Sequence, residues 1–135
     1  MKRRKFIRKT GAICAGSVIG VSFLTSCSKA YYATYSMDQN RIRIAESEFV
    51  NRDFVLVSNE RLPAPIYIHR DKSGYTAVLL LCTHKECEVA PFGNELHCPC
   101  HGSEFSNKGE VLVGPAEKNL NKFKVEVKDQ FVFVS

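Results

Sequence analysis

The chain has 135 residues, which is enough for one domain with short terminal extensions. Its formal net charge of +5 is unevenly distributed, because six basic residues lie within the first ten positions and the first acidic residue is Asp38. Without residues 1–26 the chain carries 13 basic and 14 acidic side chains, a balance of about −1. The body of the protein therefore has no basic excess with which to bind nucleic acid.

Residues 1–26 have the layout of an export signal, with a basic stretch followed by an uncharged run and then a cysteine. The uncharged run, 10–26, is shorter and more polar than the roughly 20 apolar residues that a membrane-spanning helix needs. The basic "RRKFIRK" resembles a twin-arginine signal, and "LTSC" resembles a bacterial lipobox, whose cysteine is acylated. We expect Cys27 to carry the lipid, with an uncleaved membrane anchor as the alternative. Either arrangement holds the domain on a membrane of the bacterial cell envelope, facing the periplasm or the cell exterior.

The next segment, 27–40, is polar and aromatic without periodicity, and it is predicted to be a tether. The domain is predicted to occupy residues 41–135, where short segments rich in β-branched and aromatic residues follow one another, namely "RIRI", "DFVLVS", "PIYIHR" and "YTAVLLLC". Turn residues follow at Gly93-Asn94, at 107–109 and at 128–130. No amphipathic helix and no internal repeat is evident. The sequence therefore predicts a small all-β domain of stacked antiparallel sheets.

Two cysteine- and histidine-rich segments are expected in loops of this domain, one after Leu81 and one after Leu96. Of the six cysteines, Cys14 lies in the export signal and Cys27 is the expected lipidation site, which leaves four. These four belong to "CTHKEC", residues 82–87, and "CPCH", residues 98–101. Each segment offers one thiolate, one imidazole and one further cysteine. Two such ligand pairs fit a two-iron cluster in which thiolates hold one iron and imidazoles the other. A structural zinc site and a pair of disulfides are the alternatives.

The two segments resemble the cluster-binding boxes of Rieske [2Fe-2S] proteins of the quinol-oxidising cytochrome bc type, C-T-H-x-x-C and C-P-C-H-G-S. The match covers residues 82–87 and 98–103, and "GPA" at 114–116 resembles the proline loop that closes over such clusters. The resemblance implies that Cys82 and Cys98 bind one iron and that His84 and His101 bind the other. It also implies a disulfide between Cys87 and Cys100, and places Gly102 and Pro115 around the cluster. With two thiolates and two neutral imidazoles the oxidised cluster is neutral, so its reduction potential is higher than that of an all-cysteine cluster.

The residues around the expected cluster depart from the family pattern in three places. Ser103 matches a serine whose hydroxyl donates a hydrogen bond to a bridging sulfide. Phe105, however, stands where relatives of high potential have a tyrosine that donates to a ligand sulfur. Lys85 and Glu86 stand in place of a leucine and a glycine in the first box, a charged pair that disfavours docking into a quinol pocket like that of the respiratory complex and is compatible with a different electron partner.

The predicted function is electron transfer by a redox subunit, since the chain shows no substrate pocket and no nucleophile of its own. The candidate partners are a cytochrome b-type quinol oxidoreductase, with quinol as reductant, and a molybdenum oxidase of the arsenite type. A stand-alone lipoprotein electron carrier is the third candidate. The histidines outside the boxes, His69 and His97, are expected to be ordinary strand-end residues.

Overall fold

A computed structural model describes residues 30–135. The predicted export signal, 1–26, and the expected lipidation site, Cys27, lie outside the described residues. The all-β prediction is confirmed: one short 3-10 helix, Glu46–Phe49, accompanies the strands in this part of the chain. The strands are β1 (Tyr35–Asp38), β2 (Arg41–Ala45), β3 (Phe54–Val57), β4 (Ile66–Asp71), β5 (Gly74–Leu79), β6 (Ala90–Phe92), β7 (Glu95–His97), β8 (Glu104–Ser106), β9 (Val111–Val113), β10 (Lys122–Phe123), β11 (Val125–Lys128) and β12 (Phe131–Val134).

Two antiparallel sheets form the base of the domain, in the orders β1-β2-β12-β11 and β10-β5-β4-β3. Their alternating apolar residues meet in one core, because successive side chains of a strand point to opposite faces. Ile42 and Ile44 of β2 supply it, for example, while Arg41 and Arg43, which alternate with them, lie on the outer face over the rings of Phe133 and Phe131. This base contains no candidate ligand and serves as the scaffold.

A third sheet, β6-β7-β8-β9, packs through a second core against base residues such as Leu56, Tyr67 and Val78. That second core includes Leu80, Leu96 and Phe105, and both Cys82 and Cys98 belong to it. The two cysteine-containing segments therefore leave the same packed layer, and this layer fixes where their first residues lie.

The structure differs from the prediction in the segment 27–40, which was expected to be a tether. Tyr35–Asp38 is strand β1, and the Ala33 N–H donates to the carbonyl of Leu56 at 2.8 Å. The hairpin from β1 to β2 turns at Gln39 and Asn40, which both have positive φ. The sheet therefore begins before residue 41, where regular alternation in the sequence begins. Within residues 30–135 no helix is long and apolar enough to cross a membrane.

Candidate metal centre

Two loops of the same backbone shape carry the candidate ligands: the first loop, residues 82–87, and the second loop, residues 98–103. Each is closed by an antiparallel pair, Leu81 with Glu88 and His97 with Glu104. In each, the N–H of the opening cysteine donates to the carbonyl five residues later, at 2.8 Å. The residue four positions after that cysteine donates its own N–H back to the cysteine carbonyl. The two loops are therefore one structural unit used twice, 16 residues apart.

This repetition was missed in the sequence, where no internal repeat was evident. The signal that could have revealed it is the shared spacing of Leu80-x-Cys82 and Leu96-x-Cys98, in which all four residues are buried. The loops differ in where the ligands fall, since the histidine is the third residue of the first loop and the fourth of the second. A search for identical letters therefore does not find the repeat.

The opening cysteines of the two loops, Cys82 and Cys98, are free thiols and are buried at 1% and 2% exposure. Burial raises the pKa of the Cys98 thiol, and the neighbouring Cys82 thiol raises it further. The backbone N–H groups of Cys100 and His101 act in the opposite direction, because they donate hydrogen bonds to the Cys98 sulfur. A metal bound here would displace thiol protons and leave thiolates already supplied with N–H donors.

The two loop histidines, His84 and His101, are exposed and lie beside each other. Their ring centroids are 4.9 Å apart and the ring planes cross at 89°. The thiols thus pair with each other in the buried layer, and the imidazoles pair with each other at the surface.

A disulfide joins the loops, and it is the predicted one, Cys87–Cys100, with an S–S distance of 2.07 Å. Its sulfurs lie within 4.8 Å of the Cys98 sulfur. They are not available as thiolate ligands, because the two sulfurs are bonded to each other. The disulfide prediction is therefore confirmed, and it leaves Cys82 and Cys98 as the two free cysteines of residues 30–135.

A third loop, residues 114–118, covers the first two. Its Gly114-Pro115 peptide bond is cis, and the Ala116 N–H donates to the Ser103 hydroxyl oxygen at 3.0 Å. Ser103 is fully buried, and within the described residues its hydroxyl hydrogen has no acceptor. The Thr83 hydroxyl donates to the Lys118 carbonyl at 2.6 Å, which ties the third loop to the first. This contact was missed in the sequence, because the two residues are 35 positions apart.

Phe105, the residue in place of the expected tyrosine, is fully buried on β8 opposite Leu96. The histidines outside the boxes lie elsewhere: His69 is half-buried on β4 and stacks on Tyr67, and burial lowers its pKa. The ring nitrogen of His97 is 3.2 Å from the Glu95 carboxylate. Neither contacts the candidate ligands in a recorded hydrogen bond or ring pair.

The donor set fits a cluster of two irons better than a single zinc ion. One zinc would need its four ligands around one point, whereas here two thiols and two imidazoles form separate pairs. A [2Fe-2S] cluster with mixed ligation takes one such pair on each iron. The free hydroxyl hydrogen of buried Ser103 is the kind of donor that a sulfide accepts.

Comparison with known families and proteins gives the same answer. The family model described as Rieske [2Fe-2S] domain matches residues 40–124. The cytochrome b6-f complex iron-sulfur subunit 2 of Nostoc sp. (strain PCC 7120) is 39% identical over 56 residues, 40% of this chain and 32% of the relative. The cytochrome b6-f complex iron-sulfur subunit of Synechococcus sp. (strain CC9605) is 40% identical over 68 residues, 48% of this chain and 38% of the relative. The chain thus matches about a third of the length of these curated relatives.

Two solved structures are similar over the same region. The plasma membrane Rieske protein of the cyanobacterium Synechocystis PCC 6803 superposes with a TM-score of 0.58 and 25% identity, covering 67% of this chain and 94% of that chain. A chain from the complex of reduced oxygenase and oxidized ferredoxin in carbazole 1,9a-dioxygenase gives a TM-score of 0.53 and 27% identity, covering 67% of this chain and 87% of that chain.

Proposed function

Because the chain belongs to the Rieske [2Fe-2S] domain family, we propose that it transfers single electrons and that four loop residues hold its cluster. Cys82 and Cys98 would bind one iron, and His84 and His101 the other. The observation that carries this assignment is the separation of the donors into a buried thiol pair and an exposed imidazole pair. The protein is a redox subunit or carrier in this proposal, with any substrate chemistry performed by its partner.

The inner and outer sides of the proposed site are formed by different residues, which have different roles in electron transfer. When bound, the [2Fe-2S] cluster supplies a one-electron couple of raised potential. Cys82 and Cys98 hold the inner side in an apolar layer that excludes water. His84 and His101 are exposed, so a partner meets them first.

Hydrogen bonds of neutral groups and the disulfide hold the four proposed ligands in the same positions in the oxidised and the reduced protein. The Cys87–Cys100 disulfide joins the first loop to the second. Hydrogen bonds with Ser103 and Thr83 hold the third loop against them. A rigid site needs little rearrangement when an electron arrives, which favours fast transfer.

The first test is the metal content of the protein purified from its own envelope. We expect iron and acid-labile sulfide in equal amounts, no stoichiometric zinc, and a paramagnetic signal that appears on reduction. The oxidised protein is the matched control, since it holds the same iron and sulfide and should lack the paramagnetic signal. Zinc without iron in the native protein would overturn the electron-transfer proposal and restore a structural zinc module.

The redox partner is proposed to be a larger membrane redox complex. The relatives from Nostoc and Synechococcus are named as subunits of the cytochrome b6-f complex, which supports a partner of that kind. The genes beside this one distinguish the candidates: a cytochrome b gene indicates a quinol oxidoreductase, and a large molybdopterin subunit indicates the molybdenum oxidase. Neither gene would favour the stand-alone carrier.

Attachment to the membrane is proposed to be through a lipid on Cys27, with residues 1–26 removed and the domain facing the periplasm or the cell exterior. The "LTSC" sequence supports this step. Mass spectrometry of the mature protein should find acyl chains on Cys27, and Cys27→Ala should yield an unprocessed or released form. A mature protein that still begins at residue 1 and carries no lipid would contradict this proposal and favour an uncleaved anchor.

A further inference from the structure

The surface around the two exposed histidines is charged. Lys85 and Glu86 of the first loop are exposed beside His84, and Glu117 and Lys118 of the third loop are exposed as well. The hydrogen bond from Thr83 to the Lys118 carbonyl brings the third loop against the first. An open depression of about 480 Å³ lies there, lined by Thr83, His84, Pro115, Glu117 and Lys118. We call the exposed surface of the three loops the tip.

The four charges of the tip are available to a partner. Of the ion pairs formed within residues 30–135, none includes Lys85, Glu86, Glu117 or Lys118. Elsewhere in the same range charged side chains do pair, as Arg41 does with Glu126 at 3.1 Å. The tip therefore carries two cations and two anions without partners in the described chain.

Large apolar side chains are missing from the tip. The exposed ones within residues 30–135 are Tyr32, Met37, Val50, Phe92, Leu112, Val113 and Val127. None of these lies in loops 82–87, 98–103 or 114–118, although Leu112 and Val113 precede the third loop on β9. Moving unpaired charges from water into an apolar pocket is costly, so such a pocket is a poor match for this tip.

The backbone at Glu86 supports the same conclusion. Glu86 has a φ of +57°, the left-handed conformation that glycine adopts readily and other residues adopt at a cost. Gly102 occupies the equivalent position of the second loop with a φ of +77°. The first loop thus has an exposed carboxylate at a position where its backbone favours glycine.

We propose that the tip docks on a redox protein whose centre is exposed at a hydrated surface bearing both acidic and basic side chains. This rests on the proposed electron transfer through His84 and His101. Lys85 and Lys118 pair with acidic groups of that partner, and Glu86 and Glu117 pair with basic groups. Such pairs guide association and set orientation, and their effect on the association rate falls as salt rises.

The test uses membranes of the source organism in which the natural gene is replaced by variants. The rate at which the cluster is re-oxidised after a reducing pulse is followed at ionic strengths from about 10 mM to about 0.5 M, a range over which screening removes most surface electrostatics. We expect the wild-type rate to fall about tenfold or more across this range. The variant that combines Lys85→Gln with Glu86→Gln should have a re-oxidation rate several-fold below that of the wild type at low salt. At high salt the two rates should be equal. The matched control, Lys128→Gln on the β11–β12 hairpin, should follow the wild type.

A variant with an apolar tip, Lys85→Leu combined with Glu86→Gly, separates the two kinds of partner. We expect it to be slower than the wild type at low salt. A rate that is independent of salt, with this variant equal to or faster than the wild type, would overturn the docking inference in favour of an apolar quinol pocket. The reduced cluster signal and the potential of each variant are measured alongside. Loss of the signal in the wild type would mean that the proposed function itself has failed.

Discussion

The first and second loops share one backbone frame but use it differently. In both, the opening cysteine is buried, and its N–H and carbonyl are bonded within the loop. In both, the fifth residue has positive φ, but it is Glu86 in one and Gly102 in the other. The sixth residue also differs, being the disulfide cysteine Cys87 in the first loop and Ser103 in the second. The frame places a thiol, and the remaining positions are free to take other roles.

The difference shows which properties of the site follow from the backbone and which from side chains. Loop shape and thiol position are repeated, so they follow from the hairpin closure and the buried layer beneath it. The two disulfide cysteines, the buried hydroxyl of Ser103 and the charges of Lys85 and Glu86 do not occur at matching positions of both loops, so they follow from individual side chains.

The largest expected effect concerns the buried opening cysteine, which the two loops have in common. Cys82→Ser and Cys98→Ser should each abolish the cluster, because each would remove one of the two thiolates proposed to bind the same iron. The two losses should be equal, since the thiols hold equivalent places in the two loops. Iron content and the optical spectrum of each variant measure this, with circular dichroism to show that the base sheets remain folded.

If one of these serine variants kept its cluster, the two opening cysteines would not be equivalent ligands. A Cys14→Ser variant is a suitable control, because Cys14 lies in the predicted export signal and should leave the iron content of the mature protein unchanged.

The disulfide should have a smaller effect, on stability more than on assembly. Cys87→Ser and Cys100→Ser each remove the crosslink between residues 13 positions apart, and such a bond typically contributes about 2–4 kcal/mol. We expect cluster to assemble in both variants but to be lost at a lower denaturant concentration. Denaturation followed at the cluster absorbance measures this, and the double variant should lose no more than either single one. Complete loss of cluster in all variants would show that the division between ligand and crosslink cysteines is wrong.

The fifth position of each loop should give opposite effects of about 1 kcal/mol. Glu86→Gly relieves a side chain from the left-handed conformation and should stabilise the first loop, whereas Gly102→Ala introduces the same strain into the second. A Cβ at Gly102 would meet no atom within 4 Å, so the cost there comes from φ alone. Thermal unfolding of the two holo-proteins should move their midpoints in opposite directions. A destabilised Glu86→Gly would indicate that the carboxylate has a stabilising contact in the folded protein.

The family, the four-cysteine division and the disulfide pairing could be predicted because they depend on letters at fixed spacing. Strands β2 to β5 could be predicted because their apolar residues alternate or cluster. Strand β1 could not, since "YSMD" has no such pattern and is a strand because it pairs with Arg41–Ala45. The contacts of the third loop, from Ala116 to Ser103 and from Thr83 to Lys118, join residues distant in sequence. The pattern of residue types along the sequence does not show which distant residues will form such contacts.

The smallest expected effect concerns the second loop alone, whose sixth residue is a hydroxyl beside the expected cluster. Ser103 is fully buried, and its hydroxyl hydrogen is free to stabilise the reduced state by donating to a sulfide. Phe105, two residues later, has no hydroxyl, so one of the two donors of high-potential relatives is absent. We therefore expect a potential in the middle of the Rieske range of about −150 to +300 mV, which suits a low-potential quinone such as menaquinone.

Protein-film voltammetry should show Ser103→Ala lowering the potential and Phe105→Tyr raising it, each by some tens of millivolts. About 59 mV corresponds to 1.4 kcal/mol for one electron, and only the difference in hydrogen-bond strength between oxidation states contributes. Because Ser103→Ala also removes the hydrogen bond that Ala116 of the third loop donates to Ser103, Thr83→Val is the control: it loosens the same loop and should barely move the potential. An unchanged potential in Phe105→Tyr with an intact cluster would mean that this side chain does not face a ligand sulfur.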